Sequence, residues 1–193
     1  MALTRPRVGV FGGAFDPPHN AHVALVQAAL AQLGLAELRI FPTGQAWHKD
    51  RALSAAEDRL AMARLAFEGI ARVMVDAREI LRPGPTYTLD TLRELQQEQP
   101  AAQLVLIVGA DQCDLRSWRE PDEILQLASL AVAPREGYVC APGANVTDLV
   151  MASVDLSSTT VRERLAEGMG EDAVDPAVLG LIRARGLYGR PPC

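Results

Sequence analysis

Little in this chain is set aside for cross-links, membranes or polyanions. Its three cysteines (Cys113, Cys140, Cys193) form no Cys-x-x-Cys pair and three histidines complete the soft-metal inventory. That scarcity argues against a structural zinc site and suits a reducing compartment better than a disulfide framework. No uninterrupted apolar run is long enough to span a bilayer, and the opening Met1 to Pro6 lacks a signal-peptide apolar stretch, so a cytoplasmic location is expected. Positive charge is scarce as well. The 19 basic residues are outnumbered by 24 acidic ones, for a net charge of −5, which argues against a nucleic-acid or membrane-surface partner. There are no repeats and no low-complexity linkers, and no exposed stripe or heptad announces an oligomeric interface. What remains is a single domain over residues 1–193, 49% apolar and 22% charged, long enough to bury a core.

The most informative stretch is Gly12-Gly13-Ala14-Phe15-Asp16-Pro17-Pro18-His19-Asn20-Ala21-His22. It follows a short apolar strand, Val8 to Phe11, and leads into an apolar-periodic helix. Glycines at a strand's end permit a sharp turn and close approach of a bound group. The helix behind them offers unpaired N–H groups and a positive dipole end, which suit a phosphate. His19 and His22, three apart, share one helix face. Three readings compete: an ordinary strand-turn-helix with surface histidines, a His-x-x-His metal chelate, and a nucleotide-phosphate site. The last alone accounts for glycines, prolines and both histidines together.

A second cluster, Leu156-Ser157-Ser158-Thr159-Thr160-Val161-Arg162, follows a strand expected at Leu149 to Val154 and opens a helix to about Glu167. Ser and Thr are good N-caps, and Thr160 with Glu163 has capping-box spacing, so capping alone explains the hydroxyls. Arg162 is different. A cation in a first helical turn is disfavoured by the dipole, and an anion between them would rationalise it.

Between these motifs strands and helices alternate. Helices are expected at Ala21–Leu33, from a Ser54–Glu57 capping box to about Gly69, at Thr88–Glu98, after Pro121, and from Pro176 to Gly186. Strands are expected at Leu38–Phe41, Val73–Val75, Leu104–Val108 and Leu130–Ala133. The alternation implies an α/β fold with a doubly wound, largely parallel sheet, binding ligands beyond the carboxyl ends of its strands.

The glycine–histidine stretch resembles the nucleotidyltransferase superfamily, whose hallmark is a Gly-x-Phe-Asp-x-x-His-x-x-His turn. Ala21 stands where many members have glycine. The Ser157-Ser158-Thr159-x-x-Arg162 pattern is similar to the superfamily's second phosphate motif. Pro85-Thr86-Tyr87-Thr88-Leu89-Asp90-Thr91-Leu92, Gly109-Ala110-Asp111 with Trp118, Arg135-Glu136-Gly137-Tyr138, Leu187-Tyr188 and Trp47-His48-Lys49 resemble the nicotinate-nucleotide adenylyltransferase family. A proline is usual where Trp47 stands, and another where Glu136 stands. The resemblance implies a Rossmann-like nucleotidyltransferase fold and a reaction joining nicotinate mononucleotide to the α-phosphate of ATP, with Mg²⁺ held mainly by the phosphates. It implies that Gly12, Gly13, Ala14, Phe15, Asp16, Gly109, Ser158 and Thr159 bind ATP. It implies that Tyr87, Thr88 and Trp118 frame the pyridine ring, that Asp111 contacts ribose, and that Arg135 belongs to the mononucleotide site.

The chemistry suggests roles for the cations. His22 would donate to the α-phosphate with His19 beside it, while Lys49 and Arg162 would neutralise the β and γ phosphates. Each middle residue also has a plainer reading. Trp118 could fill a gap, Asp111 could cap a turn, Thr88 could cap its helix, Tyr87 could be core, and Asp16 could order its loop. Arg119 could attract a pyridine carboxylate or be a solvated surface charge. Competing functions are a nicotinamide-mononucleotide or phosphopantetheine adenylyltransferase and a non-catalytic nucleotide binder. A hydride-transferring dehydrogenase is disfavoured, because the Gly-x-Gly-x-x-Gly turn is missing.

Overall fold

Continuous apolar runs make the strands, as expected of a sheet covered on both faces. In the computed structural model, which describes residues 5–45, 53–140, 145–152 and 156–189, six strands form one sheet. They are β1 (Arg7–Gly13), β2 (Glu37–Pro42), β3 (Val73–Val75), β4 (Gln103–Gly109), β5 (Ala128–Ala133) and β6 (Val146–Asp148). Their order is β3-β2-β1-β4-β5-β6 and every pairing is parallel. The helices between them are α1 (Asn20–Gln32), α2 (Ala56–Ala66), α3 (Arg78–Leu81), α4 (Thr88–Glu98), α5 (Pro121–Leu127), α6 (Ser158–Ala166) and α7 (Pro176–Ala184).

Side chains alternate across the sheet with a period of two. Leu104, Leu106 and Val108 face α4 and α5, where they meet Leu92, Leu95 and Ile124. Val105 and Ile107 face the other way, toward Leu25, Val26 and Ala29 of α1 and Ala63 of α2. A third cluster, of Met62, Val161, Val178 and Ile182, joins α2, α6 and α7. Because β1 and β4 are neighbours while the chain winds outward from them in opposite directions, the order reverses between their carboxyl ends. That is where an open α/β sheet leaves a crevice.

Several expectations need correction. The last strand is Val146–Asp148, not Leu149–Val154. Leu149 is buried but Val150 is 83% exposed, so the apolar run there is not a sheet strand; residues 153–155 lie outside the described range. Helix α2 starts from Ala55 without a side-chain cap, and the Ser54 N–H donates to Asp16 Oδ2 at 3.3 Å. The cap of α6 is Ser157, which accepts from the Thr160 N–H. Cysteines read as unpatterned include one pair, since Cys113 and Cys140 are joined as a disulfide with Cα atoms 5.9 Å apart. The fold sets the turn after β4 beside the loop after β5, a proximity that spacing along the chain does not reveal. No helix among the described residues is long and apolar enough to cross a membrane.

Candidate active site

A cavity of about 560 Å³ opens at the β1/β4 crevice. Strand β1 delivers Gly12 and Gly13 to its floor, and a Cβ added to Gly12 would meet nothing nearer than Phe41 O at 4.0 Å. Glycine therefore leaves open the space above the strand end. The loop that follows is pinned from below. Phe15 takes a left-handed backbone (φ 48°), and its buried ring packs edge-on against Phe11 and Phe67 at 5.6 and 5.7 Å. Such a conformation in a bulky residue costs on the order of 1–3 kcal/mol, so the packing must hold it.

Asp16, fully buried, gathers distant segments. Its Oδ1 accepts from the Tyr188 hydroxyl at 2.6 Å and its Oδ2 from the Ser54 N–H, while its carbonyl accepts from Arg162 at 2.7 Å. Burial, and then the Asp16 carboxylate, push the Tyr188 hydroxyl's pKa up. Loop ordering is thus the reading of Asp16 that these contacts support.

The two histidines stand at the mouth of α1. Their rings stack at 3.7 Å, 27° apart. The His19 N–H donates to His22 Nδ1 at 3.1 Å, so a neutral His22 ring carries its proton on Nε2. Burial, with a smaller contribution from the Arg135 charge, lowers the His19 pKa to about 4. His19 is therefore neutral at pH 7, and its buried Nδ1 has no hydrogen-bond partner among the described residues.

Helix α6 docks its N-terminus on the same loop. Ser158 Oγ donates to Pro17 O at 3.0 Å, and Arg162 donates to Thr159 Oγ1 at 3.0 Å. Neither α1 nor α6 has an acid in its first turn, whereas α2 and α5 carry two each. The helix starts facing the crevice thus keep their positive ends uncompensated, which suits an anion.

At the other end, Asp111 folds back over Gly109, where a Cβ would lie 2.6 Å from its Oδ1. Asp111 accepts from Arg135 at 2.8 Å. Tyr87 precedes α4, half-buried, with the Arg119 guanidinium 4.8 Å from its ring centroid. Trp118 packs partly on the core. Among the described residues no group of three His, Cys, Asp or Glu could hold a metal ion.

A family model for cytidylyltransferase-like proteins matches residues 10–164. The "Probable nicotinate-nucleotide adenylyltransferase" of Albidiferax ferrireducens is 51% identical over 94% of this chain and 98% of its own. Its namesake in Methylibium petroleiphilum is 38% identical over 95% of this chain and 91% of that one. This chain belongs to the nicotinate-nucleotide adenylyltransferase family. The structure of Plasmodium falciparum nicotinic acid mononucleotide adenylyltransferase complexed with NaAD superposes with a TM-score of 0.77 at 18% identity, covering 95% of this chain and 97% of that chain, a likeness of fold.

In this adenylyltransferase-family chain one cavity wall holds Gly12, Gly13, Ala14, Phe15, Asp16, His19, His22, Tyr87, Thr88, Gly109, Asp111, Trp118, Arg135, Ser158, Thr159 and Arg162. Lys49, with Trp47 and His48, lies outside the described residues. Sequence reading overlooked Arg59, only 2% exposed. Its guanidinium donates to the carbonyls of Ala14, Thr43, Gly44 and Ser54. The available signal was its helical spacing from Met62 and Ala63, which put a cation on the apolar face of α2. Glu79, 5% exposed and also on the cavity wall, was overlooked too.

Proposed function

We propose that this chain transfers the adenylyl group of ATP to nicotinate mononucleotide, giving nicotinate adenine dinucleotide and pyrophosphate. The observation that carries the reading is the stacked His19–His22 pair at the β1/β4 crevice, with His22 Nδ1 occupied by a backbone N–H. That arrangement aims a donor proton, rather than a base, at whatever anion the two helix starts hold.

A donor is what the chemistry needs. The mononucleotide's phosphate has a second pKa near 6, so at pH 7 it is mostly dianionic and attacks without a general base. An oxygen–phosphorus bond forms at the α-phosphate as the bond to the pyrophosphate oxygen breaks. Positioning supplies about 7–11 kcal/mol of such a barrier and one preorganised donor about 3–4 kcal/mol. His22 donates to the α-phosphate, neutral His19 lies beside it, and Arg162 with the α6 start and Ser158 and Thr159 neutralises the β and γ phosphates, as does Lys49. Gly12 to Asp16 and Gly109 leave room for the nucleotide. Tyr87, Thr88, Trp118, Asp111 and Arg135 take the mononucleotide.

Mg²⁺ would ride on the triphosphate and offset its charge. Asp16, the acid on the wall of the phosphate loop, is engaged by Tyr188 and Ser54, so the described side chains suit an ion held by substrate and water. The cytoplasm is the proposed compartment, and there Cys113 and Cys140 would stand as neighbouring thiols.

Pyrophosphate release with Mg²⁺ and ATP, comparing nicotinate and nicotinamide mononucleotides, tests the reading. Fast release with a strong preference for the acid is expected. Comparable rates would discard the acid as the dedicated substrate, and no release with either would discard a pyridine mononucleotide as the acceptor.

A further inference from the structure

Of the three described arginines on the cavity wall, two are spoken for. Arg162 donates to the phosphate-loop carbonyl of Asp16 at 2.7 Å, and Arg135 is paired with Asp111 at 2.8 Å. Arg119 is placed differently. It follows Trp118 in sequence, and its guanidinium lies over the Tyr87 ring at 4.8 Å, so a cation is held against one of the aromatic side chains of this wall.

Its charge is only loosely compensated. The nearest carboxylates, Asp90 and Glu120, are both 3.9 Å away, beyond hydrogen-bond length. Both also lie 3.8 Å from Arg93, which makes its short contact, 2.6 Å, to Glu123. The acids around Arg119 are thus shared with Arg93, and among the described residues none comes within hydrogen-bond length of the Arg119 guanidinium. Arg119 lines the cavity with its side chain 47% exposed, and Glu120, the next residue, has a left-handed backbone (φ 49°).

Resting on the adenylyltransferase reading above, we propose that the Arg119 side chain is a specificity-determining residue. It favours a pyridine ring bearing a carboxylate over one bearing a carboxamide. The carboxylate gains a charge-assisted contact in a partly desolvated cavity, whereas the neutral amide gains only an ordinary hydrogen bond. Tyr87 acts by positioning. With one face of its ring taken by the guanidinium, it holds the cation in place, and Trp118 is left as the stacking surface for the pyridine.

The test is kcat/KM for nicotinate and nicotinamide mononucleotides in the wild type, Arg119→Gln and Arg119→Lys, with circular dichroism to confirm folding. The wild type is expected to prefer the acid. Arg119→Gln should lower the acid's kcat/KM by about tenfold or more while leaving the amide's within about twofold, and Arg119→Lys should restore part of the preference. An unchanged acid-to-amide ratio in a folded Arg119→Gln protein would overturn the proposal, as would an equal fall with both substrates, which is what a role confined to the surface ion pairs would produce. A wild type inactive with both mononucleotides would instead remove the reading on which it rests.

Discussion

At the level of single residues, the sharpest claim concerns one proton. His22 accepts the His19 N–H on Nδ1 at 3.1 Å, which fixes the tautomer that presents Nε2–H to the crevice. Replacing His22 with Ala should lower kcat at least about 10²-fold, because a preorganised donor to developing charge is lost. Steady-state pyrophosphate release measures it, with the circular dichroism spectrum unchanged. Turnover retained in that folded variant would remove His22 from the chemistry. The residue was legible beforehand because glycines, prolines and two histidines fall within eleven consecutive positions, 12 to 22. Phe15 was legible only as a motif letter. That its ring is an anchor in the core and its backbone left-handed follows from Phe11 and Phe67 lying beneath it, which no local pattern records.

At the level of elements, α2 binds the loops after β1 and β2 together through Arg59. The guanidinium fork donates to four carbonyls drawn from the β1 loop, the β2 loop and the approach to α2. A lysine ammonium keeps the charge but cannot reproduce that planar fork. Arg59→Lys should therefore leave buried carbonyls unpartnered and destabilise the fold by about 2–4 kcal/mol. Urea denaturation measures this, and a loss under about 0.5 kcal/mol would show that the clamp is dispensable, since changes that small are ordinary for surface sites. Strands β1, β2, β4 and β5 were legible because each contains a short apolar run closed by glycine, proline or alanine, and β3 because Val73-Met74-Val75 is an apolar run of its own. Edge strand β6 was not, because it is largely exposed and its composition, Val-Thr-Asp, carries no core signal. Helix α3 spans four residues, too few for any period to register. The role of Arg59 could not be read either, since its partners come from loops up to 45 residues away.

Across the whole molecule, two buried groups set opposing pH dependences. The His19 pKa is lowered from 6.5 to about 4, chiefly by burial. Between those values the unfolded chain binds the extra proton, so this group makes stability rise with pH. Burial raises the Glu79 pKa from 4.5 to about 7, against the opposing effects of its hydrogen bond from Thr91 and of Arg82. Between those values the folded protein binds the extra proton, and stability falls as pH rises. The slopes are equal and opposite, about 1.4 kcal/mol per pH unit for one proton, so in the shared window from 4.5 to 6.5 these two groups nearly cancel. Glu79→Gln keeps an acceptor for Thr91, which donates at 2.7 Å, and removes only the falling member. Its stability relative to wild type should therefore climb by about 3 kcal/mol from pH 4.5 to 7. Urea unfolding at half-unit pH steps measures that difference directly. A difference constant across the range would mean that Glu79 titrates as an ordinary carboxylate, and that the cavity wall beside Tyr87 and Thr88 is wetter than its burial implies.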